Sequence, residues 1–455
     1  MKDVHRLILT AGFALALVAA SAFAGARNGR VLTLEEAVTL ALEHNARLNA
    51  ARAGVEGARQ RVRVARANLL PKVDAQLGYR RLDPASVRRA NVFLDVGREL
   101  VRQFGTGDPN DVRPGAYLNT FATTLQVVQP IYNGGANWAA AAATQAQEEG
   151  EAFNLEDTEQ EVILQVRTRY LRALQARELL ALAQKTLEAS RAHLKAVRKM
   201  FEVGMRSRTE VLRWEVQAAG DEGRLVEAEN QLAIALAALK QVLGVPQSEA
   251  FSLVPLHLEP DTVMADLDRL IEQARLEHPR LKALAATVDA QRAGVRLARA
   301  SLLPKVNFVY QLGWEQNSTL ALDSFAYWNA AVAVQIPLFH SFGNVAKVQE
   351  SRAELNRLQA LQTESERLVA FEVIRARLRL QAAYKRIQIA RKAVEQAEAN
   401  LRSLSNTFEV GLAANIDVLD GEVILRKART DLIQARYDFW IARAELDRAI
   451  GTISP

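Results

Sequence analysis

Two carboxylates near the C-terminal end of the chain, Asp417 and Asp420, have the type and spacing that most directly support a functional site. They are three residues apart, so in a helix both lie on one face. They follow Gly411, where we expect a turn that starts the helix. Several such pairs around one opening would attract cations and repel anions. The alternative is that they are N-terminal acids favoured by the helix dipole, although Asp420 already lies past the first turn.

No pattern typical of a catalytic or metal site accompanies these acids. The 6 histidines show no ligand spacing, and the chain has 0 cysteines, which excludes disulfides, thiolate metal sites, cysteine nucleophiles and acylation at cysteine. The segment 105–110 resembles a phosphate-binding loop only superficially, because it lacks the last glycine and opens no helix. We therefore expect no enzyme, no cofactor and no resident metal.

Charge and composition narrow the class of protein further. The chain has 455 residues, 58 Lys+Arg, 52 Asp+Glu and a net charge of +6, and acids alternate with bases along most of it. This pattern argues against a nucleic-acid partner. With 49% hydrophobic residues it also excludes a disordered protein, and the 12 prolines leave long stretches free of helix breakers.

Residues 1–24 have the features of a cleaved signal peptide. Lys2 and Arg6 precede an apolar run, and Ala22-Phe23-Ala24 forms a small-residue cleavage site. The apolar run is shorter than a membrane span, which disfavours the alternative of a membrane anchor. No later stretch is apolar enough to span a bilayer as a helix, so contact with a membrane requires a β-barrel or surface binding.

An internal repeat organises the mature chain. ANLLPKV at 67–73 recurs as ASLLPKV 233 residues later, and FEVG at 201–204 recurs 207 residues later. The 26-residue difference between the two offsets falls between Pro71 and Pro130, in a polar segment. We therefore expect two structural repeats, 25–252 and 253–455, and a loop at about 81–116 that is longer than its counterpart at 315–326.

Each repeat predicts one long helix, a turn and a returning helix. Apolar residues recur at three and four, and alanine fills many remaining positions. A helix of about 66 residues would be about 100 Å long, which is typical of a coiled coil or helical barrel. The expected helices are 33–68, 136–201, 208–242, 266–301, 345–408 and 415–450.

Alternating sequences predict two strand pairs, at about 71–130 and about 304–337. Apolar residues such as Val73, Leu77, Phe308 and Leu312 alternate with polar ones over about ten residues. Such strands fit a membrane β-barrel with a wet interior, and a half-buried sheet of a soluble protein is the alternative. The expected aromatic girdle is Tyr79, Tyr117, Trp314 and Trp328.

Four strands cannot close a barrel, and open strand edges are not tolerated in lipid. Two chains would give eight strands, whose interior fills with side chains, whereas three would give twelve around an aqueous lumen. A helical conduit in series with a barrel needs an open lumen. We therefore expect a homotrimer in contact with membrane lipid.

With these features the chain resembles the outer membrane efflux protein (TolC) family over about 31–453. The motifs that carry the resemblance are the two Leu-Leu-Pro segments, QPIYNGG at 129–135, the two glycine turns, and IDVLD at 416–420. The resemblance implies a trimeric channel-tunnel of the outer membrane of a Gram-negative-type cell, with a twelve-strand β-barrel and periplasmic helices. It also implies docking to a periplasmic adaptor and an inner-membrane pump. A periplasmic coiled-coil adaptor, or a scaffold protein without a pore, is the alternative.

The resemblance also assigns roles to the helix tips, at turns 203–207 and 410–414. Family acids matching Asp417 and Asp420 line the periplasmic entrance, and Ala413 stands where the best-known member has an arginine lock. Secondary entrance candidates are Glu210, Arg206 and Arg213, and the expected tip turns and adaptor-docking residues are Val203, Gly204, Val410 and Gly411.

Overall fold

A computed structural model describes residues 30–105, 107–109, 116–256, 266–316, 326–409 and 414–454. The signal peptide predicted at 1–24 lies outside these ranges, as do Val410, Gly411 and Ala413. The chain forms two compact units, one of which consists of Met1–Val55, Glu151–Ala283 and Gln362–Pro455. The other consists of Glu56–Gly150 and Leu284–Leu361. Each unit takes segments from both halves of the sequence.

The helices occur in pairs of equal length. The first half has α1 (Leu34–His44), α2 (Ala46–Ala67), α5 (Ala136–Glu202) and α6 (Arg208–Leu243), with α3 and α4 described below. The second half has α7 (Leu267–Glu277), α8 (Pro279–Ala300), α9 (Gly343–Glu409) and α10 (Asn415–Ile450). The long helices α5 and α9 have 67 residues each, and the returning helices α6 and α10 have 36 each.

The predicted single helices 33–68 and 266–301 are wrong, because each is broken once. At Asn45 the side-chain oxygen accepts the Arg47 N–H at 2.9 Å, and the side-chain amide donates to the Val242 carbonyl at 2.9 Å. At His278, Nδ1 accepts the Arg280 N–H at 3.2 Å. Burial lowers the pKa of His278 to about 4, with Arg448 contributing, so the ring stays neutral and can accept this bond. Both breaks are capped turns, which a periodic apolar pattern does not reveal.

Four antiparallel strands form one sheet in the order β2-β3-β5-β6, at the places that the alternation predicts. They are β2 (Lys72–Arg81), β3 (Asn119–Asn133), β5 (Lys305–Gln316) and β6 (Ala326–Gln335). The register aligns apolar residues across all four strands, as in the row Ala75, Leu125, Leu312 and Trp328. A polar row, Asp74, Gln126, Gln311 and Asn329, lies on the opposite face. The edge strands of this sheet are β2 and β6.

Two features between the main elements were not predicted. The polar segment 81–116 contains two short helices, α3 (Pro84–Ala90) and α4 (Leu94–Phe104), and Asp83 caps α3 by accepting the Ala85 and Ser86 N–H groups. Two three-residue strands, β1 (Arg30–Leu32) and β4 (Phe251–Leu253), pair in parallel. Strands this short leave no readable alternation in the sequence.

The core of the first unit is built where the long helices meet the short strands. Val166, Leu174 and Leu243 are fully buried there. The Tyr170 hydroxyl lies 2.9 Å from the Leu32 carbonyl oxygen and accepts the Val254 N–H at 3.1 Å. Because a buried hydroxyl is costly without partners, these contacts fix the position of the β1–β4 pair on α5.

Gly244 and Gly204 have nearly the same left-handed backbone, with φ of 73° and 75°, but different surroundings. A Cβ on Gly244 would lie 2.7 Å from the His44 carbonyl oxygen, whereas nothing lies within 4 Å of one on Gly204. We expect Gly204→Ala to cost roughly 1–2 kcal/mol of unfolding free energy, the cost of the left-handed conformation alone. Gly244→Ala should cost clearly more, because the backbone must also move. Thermal unfolding followed by circular dichroism tests this, and equal losses would contradict the close packing at Gly244.

Candidate functional site at the helix tips

The first tip turn lies between α5 and α6, at the residues that the sequence indicates. Gly204 has φ 75° and its N–H donates to the Phe201 carbonyl at 2.9 Å, which ends α5. Ser207 begins α6 by accepting the Glu210 N–H at 3.4 Å. Val203 is 70% exposed and Met205 is 74% exposed, so the turn presents apolar side chains to its surroundings.

The second tip is described from Ala414 onward, so the predicted turn residues Val410 and Gly411 fall outside the described residues. Asp417 accepts the Ala414 N–H at 3.1 Å and thereby caps α10. Asp417 and Asp420 are both exposed. Asp417 therefore lies in the first turn of α10, where the helix dipole favours an acid, and it caps the helix as well. Asp420 forms no ion pair within the described part of the chain.

The secondary entrance candidates all lie in the first hairpin, α5–α6, and one of them contacts the second hairpin, α9–α10. Arg206 lies 3.8 Å from Glu210, and its guanidinium carbon stands 4.3 Å above the Phe408 ring of α9. This cation–π contact joins the first tip to the end of α9. Arg213 is exposed and forms no ion pair with any residue that the structure describes.

A polar cluster at His193 connects the two hairpins beside the tips. Trp214 is 1% exposed, and its indole N–H donates to the side chain of buried Asn415 at 2.7 Å. The ring of His193 stacks on Trp214, with centroids 4.8 Å apart. Nε2 of His193 lies 3.0 Å from Glu422. The hydrogen bond to Glu422 raises the pKa of His193, and this outweighs the lowering by burial.

A second buried polar group, Asp221, lies farther from the tip. It accepts from Ser190 at 2.5 Å and pairs with Arg224 and Arg426, so α5, α6 and α10 all contact it. Burial raises the pKa of Asp221, but the hydrogen bonds from Ser190 and Arg224 outweigh burial and hold the pKa below its ordinary value. The carboxylate is therefore charged and fully partnered.

Sequence reasoning missed both clusters, although the repeat contains a signal for them. The residues 207 positions beyond His193, Trp214 and Asp221 are Asn400, Gly421 and Ala428. At Trp214 and Asp221, a bulky or charged residue stands where the second half has Gly421 or Ala428, and such differences mark the places where the two hairpins differ. A comparison of the repeats position by position would have indicated these residues.

Three of the four predicted girdle residues lie in the sheet, towards the strand ends at Arg81, Gln316 and Ala326. Tyr79 stands opposite Phe121, with ring centroids 4.9 Å apart, while Trp314 and Trp328 occupy the next two rows of the apolar face. Tyr117 precedes β3 and lies outside the sheet. Another exposed aromatic set, which the sequence did not predict, lies in or just beyond the opposite ends of β3 and β6: Tyr132, Trp138, Phe339 and Phe342.

Within the described part of the chain, none of the helices combines the length and the apolarity needed to cross a membrane.

Comparison with known proteins gives consistent matches over most of the chain. A family model described as outer membrane efflux protein matches residues 37–245 and 270–452. Protein CyaE of Bordetella pertussis is 30% identical over 431 residues, covering 93% of this chain and 83% of CyaE. The alkaline protease secretion protein AprF of Pseudomonas aeruginosa is 24% identical, covering 93% and 85%. A crystal structure of CusC matches with a TM-score of 0.79 at 17% identity, covering 94% of this chain and 95% of that one, which shows a shared fold.

The raised pKa of His193 predicts a pH dependence of stability. Its contact with Glu422 contributes fully below the ordinary pKa of 6.5, and the contribution is lost as the pH rises through the raised value in the folded protein. We expect the wild type to lose thermal stability between about pH 6 and about pH 8, and His193→Gln to lose less over the same range. The exposed histidine of α1 provides a control, His44→Gln, which should keep the wild-type dependence. An unchanged pH profile in His193→Gln would contradict the assignment.

Proposed function

Because this chain belongs to the outer membrane efflux protein family, we propose that three copies of it form one closed channel through the outer membrane. The family consists of outer membrane channel proteins and not of enzymes, and its channels act with an adaptor and an inner-membrane pump. The alternative of an adaptor or a scaffold without a pore is not favoured, since the family match covers most of the chain.

The observation that carries the proposal is the four-stranded sheet with an apolar face and two edge strands, β2 and β6. Strand edges expose unpaired backbone groups, each of which costs several kcal/mol in hydrocarbon. Pairing β6 of one copy with β2 of the next removes both edges when the ring closes. Three copies give twelve strands, wide enough for a lumen lined by the polar face.

The helices of the first unit support assembly in the same way, because two of them carry a second apolar seam. In α6 the buried seam and an exposed seam point roughly 150° apart, and each follows heptad spacing. The exposed seam consists of Leu212, Val216, Ala219, Gly223 and Val226. In α9 the exposed seam includes Leu368, Phe371 and Leu378. A helix with two apolar seams packs against two neighbouring helices. We propose that the exposed seam packs against a helix of a second copy of the chain.

We assign the narrow entrance of the channel to the helix tips. Asp420 is exposed without an ion-pair partner among the described residues, so three copies would place three free carboxylates around the opening. Asp417 adds charge there while it caps α10. The exposed apolar turn at Val203 and Gly204, with Val410 and Gly411 of the second turn, is the proposed docking point for the adaptor. Residues 1–24 are the proposed signal peptide, and 25–252 and 253–455 are the proposed repeats.

Cross-linking tests the trimer. The natural chain has 0 cysteines, so engineered pairs react alone. We expect a cysteine on each edge strand, Gln76→Cys with Ala331→Cys, to give covalent dimers and trimers with a thiol-specific cross-linker. The control pair Gln126→Cys and Gln311→Cys stands in register within one chain and should give monomers only. The twelve-strand assembly would be excluded if cross-linking gave covalent tetramers, or if light scattering showed particles of two chains.

Single substitutions separate the two acids at the entrance. Asp420→Asn should reduce cation selectivity and block by trivalent cations in planar bilayers, while thermal stability stays unchanged. Asp417→Ala should also lower stability, by roughly 0.5–1 kcal/mol, because it removes the cap. Asp431→Asn, which neutralises an exposed acid farther along α10, is the control. Unaltered selectivity in Asp420→Asn would move the assignment to Glu210.

A further inference from the structure

Two arginine stripes with identical spacing lie on α2 and α8. Arg59, Arg63 and Arg66 on α2 recur 233 residues later as Arg292, Arg296 and Arg299 on α8. Steps of four and three place the members of each set on one helix face. No acid lies within either set, and the residues between the arginines are apolar or small, apart from Gln60 and Arg61 on α2.

Both arginine stripes are exposed, so their presence in both halves of the chain needs a reason other than core packing. The shared Val62 and Val295 are buried, so core packing accounts for them. Core packing does not account for exposed arginines. Other exposed positions of α2 differ from the matching positions of α8, since Arg52 and Arg61 correspond to Ala285 and Gly294. The stripes therefore indicate a surface that both halves of the chain use.

The arginines nearest the sheet are available to bind a ligand. Arg59 pairs with Glu56 at 3.0 Å and Arg292 with Asp289 at 2.6 Å, so the far end of each stripe is neutralised. Arg63, Arg66, Arg296 and Arg299 form no ion pair with any residue in the described ranges. We refer to these four as the free arginines. Four uncompensated guanidinium groups per chain favour an anionic partner.

The position of the stripes indicates which anion. Each helix leads through a Leu-Leu-Pro segment directly into a strand of the sheet, and Leu70 in the first segment is 62% exposed. Arg66 donates to Gln145 at 3.2 Å, and Gln145 lies two turns from the exposed Trp138 on the same face of α5.

Trp138 and Tyr132 line one surface cavity at the helix-side end of the sheet. Tyr132 stands opposite Val306 in the register, on the apolar face. From the sheet towards the helices, the surface thus changes from aliphatic to aromatic to cationic. This is the order in which a bilayer changes from hydrocarbon to interface to headgroups.

We propose that the free arginines bind the phosphate groups of phospholipids in the membrane leaflet on the helix side of the sheet. The planar guanidinium pairs with phosphate oxygens through two parallel hydrogen bonds, and an anionic headgroup adds net charge attraction. Three copies would present twelve such arginines as a belt around the channel. The inference rests on the proposed function, because it requires the sheet to lie in the membrane.

The test uses the full-length protein in phosphatidylcholine vesicles with a trace of spin-labelled phosphatidylglycerol or spin-labelled phosphatidylcholine. We expect wild type to associate with the phosphatidylglycerol label about two- to fivefold more strongly at low salt, and to lose this preference in about 1 M salt. The variant with Arg63, Arg66, Arg296 and Arg299 all changed to glutamine should show no preference at low salt. If that variant does not fold, the double variant Arg63→Gln with Arg66→Gln should lose about half of the preference for phosphatidylglycerol.

A charge-matched control comes from the same helix. Arg52→Gln with Arg61→Gln removes two exposed arginines that α8 does not share, and the lipid preference should stay at the wild-type level. An equal loss in this control, or an unchanged preference in the Arg63 and Arg66 pair, would overturn the proposal. The proposal would also be overturned if the Arg63 and Arg66 pair changed the ion selectivity of the channel and left the lipid preference intact, because that result would place the stripes inside the channel.

Two further outcomes separate the proposals. A protein that forms conducting trimers but prefers neither lipid refutes the phosphate belt and leaves the proposed function standing. A protein that inserts into no vesicle refutes both. Binding to isolated peptidoglycan that depends on the free arginines, without any lipid preference, would assign the stripes to that polymer instead and would also overturn the phosphate belt.

Discussion

Backbone hydrogen bonding at the edges of one sheet is the constraint on which the rest of this protein depends. The sheet β2-β3-β5-β6 aligns apolar residues on one face and polar residues on the other. In water, an edge strand can bond to solvent, whereas in hydrocarbon it must find another strand. A chain that places such a sheet in a membrane is therefore incomplete by itself. The second apolar seams of α6 and α9 are consistent with the same requirement for neighbouring copies.

The two hairpins have equal helix lengths but differ in their buried polar groups. Trp214 binds Asn415, and Asp221 receives hydrogen bonds from Ser190, Arg224 and Arg426. The positions that match Trp214 and Asp221 in the second half hold Gly421 and Ala428. A buried polar group is stable only in the arrangement that satisfies it. These contacts therefore select one arrangement of the hairpins, which uniform apolar seams of alanine, valine and leucine would leave less specified.

Charge along the chain is distributed in a way that its small net value of +6 hides. Exposed carboxylates occur at the start of α10, while unpaired arginines lie on α2 and α8, next to the sheet. Charges spaced by three and four along helices accumulate on single faces. A balanced composition thus contains local surfaces of opposite sign, one suited to cations and one suited to phosphate.

The sequence by itself determined the long helices, the four strands, their alternation and the first tip turn. Each of these follows from local regularities: apolar spacing of three and four, spacing of two, and glycine where φ is positive. The family resemblance was also readable in the motifs, and the match over 37–245 and 270–452 agrees with it. The position of Asp417 and Asp420 near a helix start was predicted from their spacing to Gly411.

Tertiary structure alone decided which groups meet across the chain. His193 and Glu422 are far apart in sequence, as are Trp214 and Asn415, so no local pattern pairs them. The breaks at Asn45 and His278 depend on side chains that bond to backbone groups, one of them at Val242, and such bonds override the apolar period. The capping bond of Asp417 is likewise decided by the folded backbone at Ala414, because an acid at that spacing fits a cap and a free charge equally well.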